Sequence, residues 1–178
     1  MEWIDLLEAT TGRFAEVLET GDLAAPVPTC PGAGVSPSGV PSATAPEDAA
    51  WTFGPEPVSA FWRRRQVHEV TLHLYDALAS QGRTAAWTID PDLAWDGVDE
   101  VATLFYPRQL RLRRTGPLPA PVRIVATDLD RSVVLEADAS GDGVELAATA
   151  TELLLTLWGR LPATGPAAVV LAQATVTP

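Results

Sequence analysis

The chain of 178 residues has no lysine and no asparagine, a single cysteine, a single methionine and two histidines. Without lysine it cannot cradle phosphates with a P-loop amine or form a Schiff base, which excludes P-loop NTPases, kinases and pyridoxal-phosphate enzymes. Without asparagine there is no N-glycosylation acceptor, and one cysteine, Cys30, cannot close an internal disulfide, so nothing marks an oxidising compartment. No run of about 18 apolar residues occurs. The opening Met1-Glu2-Trp3-Ile4-Asp5 is acidic where a secretory signal is basic. The expectation is a cytoplasmic protein with no membrane span. Twelve arginines against 23 acidic residues leave a net charge of −11, so nucleic acid is a poor partner for the surface as a whole.

What is present changes texture along the chain. Residues 3–20 place Trp3, Leu6, Leu7, Phe14, Val17 and Leu18 at helical spacing with acids between them, which predicts an amphipathic helix ending at Gly21. Residues 26–57 carry eight prolines among glycines and serines, a composition that predicts a loop or linker. Ser59 is placed to cap a helix running from Phe61 through Leu78 to a stop near Gly82. A second helix is predicted from Pro91 to Pro107. The period then shifts: alternating Leu110, Arg111, Leu112 and Arg113 predict a strand over 108–114, and short apolar runs at 122–126 and 132–137 predict antiparallel partners. Residues 144–148 are a further strand candidate, and helices are predicted over 150–158 and 166–174. The order predicts an α+β chain in two units, 1–88 and 89–178.

Both histidines fall in His68-Glu69-Val70-Thr71-Leu72-His73. On a helix His68 and His73 lie about 140° apart, whereas Glu69 and His73 lie about 40° apart, and Asp76 lies within about 20° of Glu69. The H-E-x-x-H zinc pattern is therefore missed by one residue. Two side chains four apart can still reach one cation, with Asp76 as a candidate third. The plainer reading is a solvated pair, with Arg65, four residues before Glu69, bridging to it. His68 reads as a core-edge or capping histidine.

Other groups are weaker. Asp138 to Gly143 begins like a calcium loop, but Thr149 stands where a bidentate glutamate is required, so a hairpin turn is expected. The arginines at 63–65 and 108–114 suit an anionic substrate or a solvated face. Cys30 reads as a small hydrophobe or a thiol, and Trp158 as core.

Residues 61–77, reading F-W-R-R-R-Q-V-H-E-V-T-L-H-L-Y-D-A, resemble the second metal-binding helix of the mycothiol-dependent maleylpyruvate isomerase family. Pro28-Thr29-Cys30-Pro31-Gly32, Trp51-Thr52-Phe53-Gly54-Pro55, Asp96-Gly97-Val98-Asp99-Glu100, the stretch 153–160 and the terminal 174–178 are similar to the same family, in the same order. The resemblance implies a DinB-like helical bundle followed by a sterol-carrier-like α+β domain. It implies zinc or another divalent metal held by Glu69, His73 and a histidine from an earlier helix, with mycothiol as the thiol cosubstrate of an isomerase or thiol transferase. Its substrate would be small and anionic or thiol-conjugated, with Arg65 as a substrate-binding candidate.

The chain departs from that pattern after Gly32, where the family carries the first histidine ligand and further bundle helices. Here no histidine precedes His68. The third ligand is missing, with Asp76, Glu47 or Asp48 as possible substitutes, and a truncated bundle leaves apolar faces that a homodimer would complete. The expected function is a metal- and mycothiol-binding family member with impaired activity. The alternative is a non-catalytic module that binds a small ligand in its carboxy-terminal domain.

Overall fold

Leu7, Phe14 and Val17 form the buried stripe of α1 (Trp3–Thr20), an 18-residue helix that carries Asp5, Glu8, Glu16 and Glu19 outside that stripe. In the computed structural model, which describes residues 2–21 and 45–178, this stripe packs on α2 (Ser59–Ser80). Helix α2 is buried along much of its length, through Val67, Val70, Leu72, Leu74 and Leu78. Gly21 ends α1 with extended backbone, and the Gln81 side chain fills the space a Cβ would take there. Gln81 also donates to the Val17 carbonyl at 3.3 Å, tying the two helix ends together. A 3-10 turn, Thr84–Ala86, follows and delivers Trp87, whose indole nitrogen donates to the Thr71 carbonyl at 3.1 Å.

Ser59 does not cap α2. The N-cap is Val58, and Ser59 is the first helical residue, its hydroxyl donating to the Ala45 carbonyl. A short return of the chain explains this: Ala49 and Val58 form an isolated antiparallel bridge, and the Ala50 amide donates to Pro57 O at 2.9 Å. Of the predicted loop 26–57, residues up to 44 lie outside the described part.

The described chain divides into two compact units, Met1–Thr88 and Ile89–Pro178. The second is α+β. Asp90 caps α3 (Pro91–Glu100) by accepting from the Asp92 and Leu93 amides at 2.9 and 3.3 Å, with Pro91 in the first turn, where no amide is missed. The helix does not stop at Pro107. It passes through a π turn, Val101–Phe105, in which the Tyr106 amide donates to Val101 O, and continues as α4 (Tyr106–Arg111). Widening by one residue just before a proline is one way to absorb its missing amide and its steric clash. The strand expected over 108–114 is therefore helix and turn. The alternation of Leu and Arg fits one exposed helical turn as well as a strand, and burial of Tyr106 and Gln109 decides it.

The sheet has β1 (Val122–Ala126) in the middle, β2 (Arg131–Leu135) antiparallel to it and β3 (Val144–Ala148) parallel to it. Val122, Ile124, Ala126, Leu135 and Leu146 face the core. Because β2 and β3 are on opposite edges, residues 136–143 cross from one edge to the other, and the hairpin turn expected at Asp138 to Gly143 is not formed. Helix α5 (Ala150–Leu157) begins in a reciprocal cap, Thr149 accepting from the Glu152 amide while Glu152 accepts from the Thr149 amide. It crosses α3 closely: a Cβ on the buried Gly97 would come within 2.6 Å of Leu154 Cδ1. Helix α6 (Gly165–Leu171) completes the unit against β1 and β3. Trp158 packs its ring on Phe105 at 5.2 Å.

Candidate functional site

Arg65, Glu69, His73 and Asp76 follow one another along a single stripe of α2, because steps of four, four and three residues return to nearly the same face. Their formal signs alternate when His73 is protonated. Arg65 is buried and its guanidinium is bound to Glu69 Oε1. The other carboxylate oxygen, Oε2, lies 3.3 Å from His73 Nε2. On the far side of the imidazole, Nδ1 lies 3.6 Å from the buried Asp76 carboxylate. Glu69 and His73 reach the surface, with side chains 37% and 50% exposed, so the pair is open to a solute.

The electrostatics follow from these contacts. Burial raises the Glu69 carboxyl, but the hydrogen bond from His73 and the charge of Arg65 together take it below its ordinary value. For His73, hydrogen bonds to Asp76 and then to Glu69 favour the imidazolium and outweigh burial, holding its pKa up at about 9. At neutral pH a proton therefore sits in the gap between Nε2 and Oε2.

The Nε2–Oε2 spacing is that of an ion pair and also that of two ligands on one zinc ion. Two ligands on a tetrahedral zinc at the usual N and O distances are about 3.3–3.4 Å apart, and the observed separation is 3.3 Å. With Nε2 on an ion, the Asp76 carboxylate beside Nδ1 would support the ring electrostatically from the far side. Asp76, the candidate third ligand, faces Nδ1, the ring nitrogen other than the one that meets Glu69. Among the described residues no group of three His, Cys, Asp or Glu is arranged around a metal position. Asp48, considered as a substitute ligand, instead accepts from the Ala45 amide at 2.7 Å within its own turn. Glu47 is exposed beside it.

Arg65, considered for substrate, is committed to Glu69 and is buried. His68 is core, its ring meeting Trp3 edge to face at 5.9 Å. Arg111, Arg113 and Arg114 are exposed, Arg113 with a left-handed backbone. Cys30 lies outside the described residues.

Two features escaped sequence reasoning. A cleft of about 180 Å³ opens between α1 and the end of α2, lined by Arg13, Glu16, Leu74, Leu78 and Arg83. In the second unit Tyr106 donates its hydroxyl to Glu136 and accepts from the Leu118 amide at 2.9 Å. Glu136 sits at φ 52, an uncommon backbone region for a residue with a side chain. Neither leaves a local pattern, since each joins residues distant in sequence. Comparisons with protein-family models, curated proteins and solved structures return no match to this chain. No described helix is long and apolar enough to cross a membrane.

Proposed function

We propose that this is a cytoplasmic divalent-cation-binding protein of the mycothiol-dependent maleylpyruvate isomerase type, its first unit a shortened DinB-like bundle and its second a sterol-carrier-like domain. The reading rests on one observation: an exposed carboxylate oxygen and an imidazole nitrogen at zinc-ligand separation, each braced from behind by a buried charged group. Zinc bound there would lower the pKa of a thiol such as mycothiol and hold it as the thiolate.

The chain's own residues do the positioning. Arg65 holds Glu69 Oε1 and leaves Oε2 to the ion. Asp76, 3.6 Å from Nδ1, would keep Nε2 on the Glu69 side. The proton on Nε2 has to leave for a cation to enter, so uptake is coupled to proton release. With two ligands where the family uses three, turnover of a small anionic or thiol-conjugated substrate is reduced or lost.

Zinc titration against a chromogenic chelator tests this. Wild type and His68→Phe, which keeps a ring against Trp3, are expected to bind, while Glu69→Ala and His73→Ala are expected to lose binding. Asp76→Asn is expected to weaken it by about 10–100-fold. No zinc uptake by the wild type would reduce the stripe to a charge ladder that stabilises α2 and would favour the alternative, a small-ligand module in the carboxy-terminal unit.

A further inference from the structure

Helix α2 ends in a turn that fixes the direction of the next residue. Gly82 takes a left-handed backbone at φ 68, its amide donates to the Ala79 carbonyl at 3.0 Å, and the Arg83 amide reaches back to the Leu78 carbonyl at 2.8 Å. That reversal delivers Arg83 to the rim of the cleft of about 180 Å³ between α1 and the end of α2. Arg13 and Glu16 line the cleft from α1, and the buried Val17, Leu74 and Leu78 give it an apolar wall. Leu74 and Leu78 lie about 140° and 180° around α2 from Glu69, so the cleft is on the other side of the helix from the Glu69–His73 pair.

Both guanidinium groups at the cleft are held by neutral oxygens. Arg13 donates to the Ala86 carbonyl at 3.3 Å and Arg83 to Gln81 Oε1 at 3.1 Å, while Gln81 is itself fixed on the Val17 carbonyl. Among the described residues neither arginine is ion-paired with a carboxylate, although the chain has 23 acidic residues for its 12 arginines. Each guanidinium therefore keeps donors for a ligand. With Glu16 the lining carries two positive charges and one negative, a net of +1 that a single carboxylate neutralises. Glu16 also sets a limit, because a second negative charge on the ligand would meet its carboxylate. A planar guanidinium suits a carboxylate, and buried aliphatic side chains suit a hydrocarbon body. The cleft is smaller than the roughly 300–1,000 Å³ of sites for drug-sized ligands, which sets the size of its occupant.

We propose that this cleft binds a small monocarboxylate with a short branched aliphatic body, the carboxylate meeting Arg13 and Arg83 and the body lying on Val17, Leu74 and Leu78. The site goes beyond the cation-binding reading and does not rest on it.

The test is an amide-shift titration of the isotope-labelled full chain, stripped of metal beforehand, with isocaproate. Saturable shifts are expected at residues 13–20 and 78–86. Isocaproamide keeps the body without the charge, acetate keeps the charge without the body, and succinate adds a second charge. Each is expected to bind at least about tenfold more weakly than isocaproate. Arg13→Gln and Arg83→Gln, both at exposed positions and each checked for folding by its own amide spectrum, are expected to weaken isocaproate binding by about tenfold. Shifts that do not saturate, equal binding of any comparison compound, or undiminished binding in both variants would overturn the proposal. Shifts centred on residues 111–114 would also overturn it, since the acid would then only be gathering at exposed arginines. None of these outcomes bears on zinc uptake at Glu69 and His73, which is measured separately.

Discussion

Helix α5 buries five of its eight residues and starts in a reciprocal cap, whereas α1 buries three of eighteen and has no side-chain cap at Glu2. The same contrast runs through the two units. In the carboxy-terminal unit α3 and α5 begin in side-chain caps and bury apolar faces, and the sheet supplies a second surface for the helices to cover. In the amino-terminal unit α2 is broadly buried while α1 contributes a narrow stripe. The difference teaches where each unit's stability lies: in a core for one and in a helix seam for the other.

The contrast breaks or sharpens at named residues. Leu153 is fully buried in α5, so Leu153→Ala is expected to cost about 3 kcal/mol in urea unfolding. Leu7→Ala, at the α1 seam, is expected to cost about half as much, because a surface seam relaxes around a truncation more readily than a core. Equal losses would erase the distinction.

Tyr106→Phe is expected to cost about 1–3 kcal/mol, since it leaves the Leu118 amide and the Glu136 carboxylate without their partner. Burial, helped by Glu136, raises the Tyr106 phenol from 10 to about 12. The folded state therefore prefers the protonated phenol. Its contribution is fully present below pH 10 and is lost as pH rises from 10 through about 12. Thermal midpoints of wild type and Tyr106→Phe should converge across that window; a constant gap would mean the hydroxyl contributes nothing through its proton.

Thr149→Ala, which removes the reciprocal cap of α5, is expected to cost about 1 kcal/mol. Glu2→Ser, which offers α1 the cap it lacks, should gain no more than that and is the smallest of these effects, measured as a shift in the urea midpoint. A loss on Glu2→Ser would show that α1 is limited by something other than its open end.

Local patterns were legible in the sequence where one element decides them. The face shared by Glu69, His73 and Asp76 and the stripe of α1 follow from helical spacing, and β1 and β3 from short apolar runs. What failed depended on distant partners. Residues 108–114 alternate like a strand, yet Tyr106 and Gln109 are drawn inward and the segment stays helical. Pro107 reads as a stop, but a π turn absorbs it. Asp138 to Gly143 has the composition of a hairpin turn, but pairing of β3 with β1 makes it a crossing. At the site, spacing put Asp76 on the right face, and only ring geometry shows it on the far nitrogen from Glu69. Thr149 with Glu152 was a readable cap signature, three residues apart before an apolar run.

The mixed sheet also orders events in time. Ala126 and Arg131 are brought together by the turn at 127–130, but Val122 meets Val144 only after the whole of β2 and the crossing segment have been placed. Closing the short loop costs less chain entropy than closing the long one. On that ground the β1–β2 ribbon is expected to assemble before β3 docks, and weakening β3 is expected to hasten unfolding more than it slows folding.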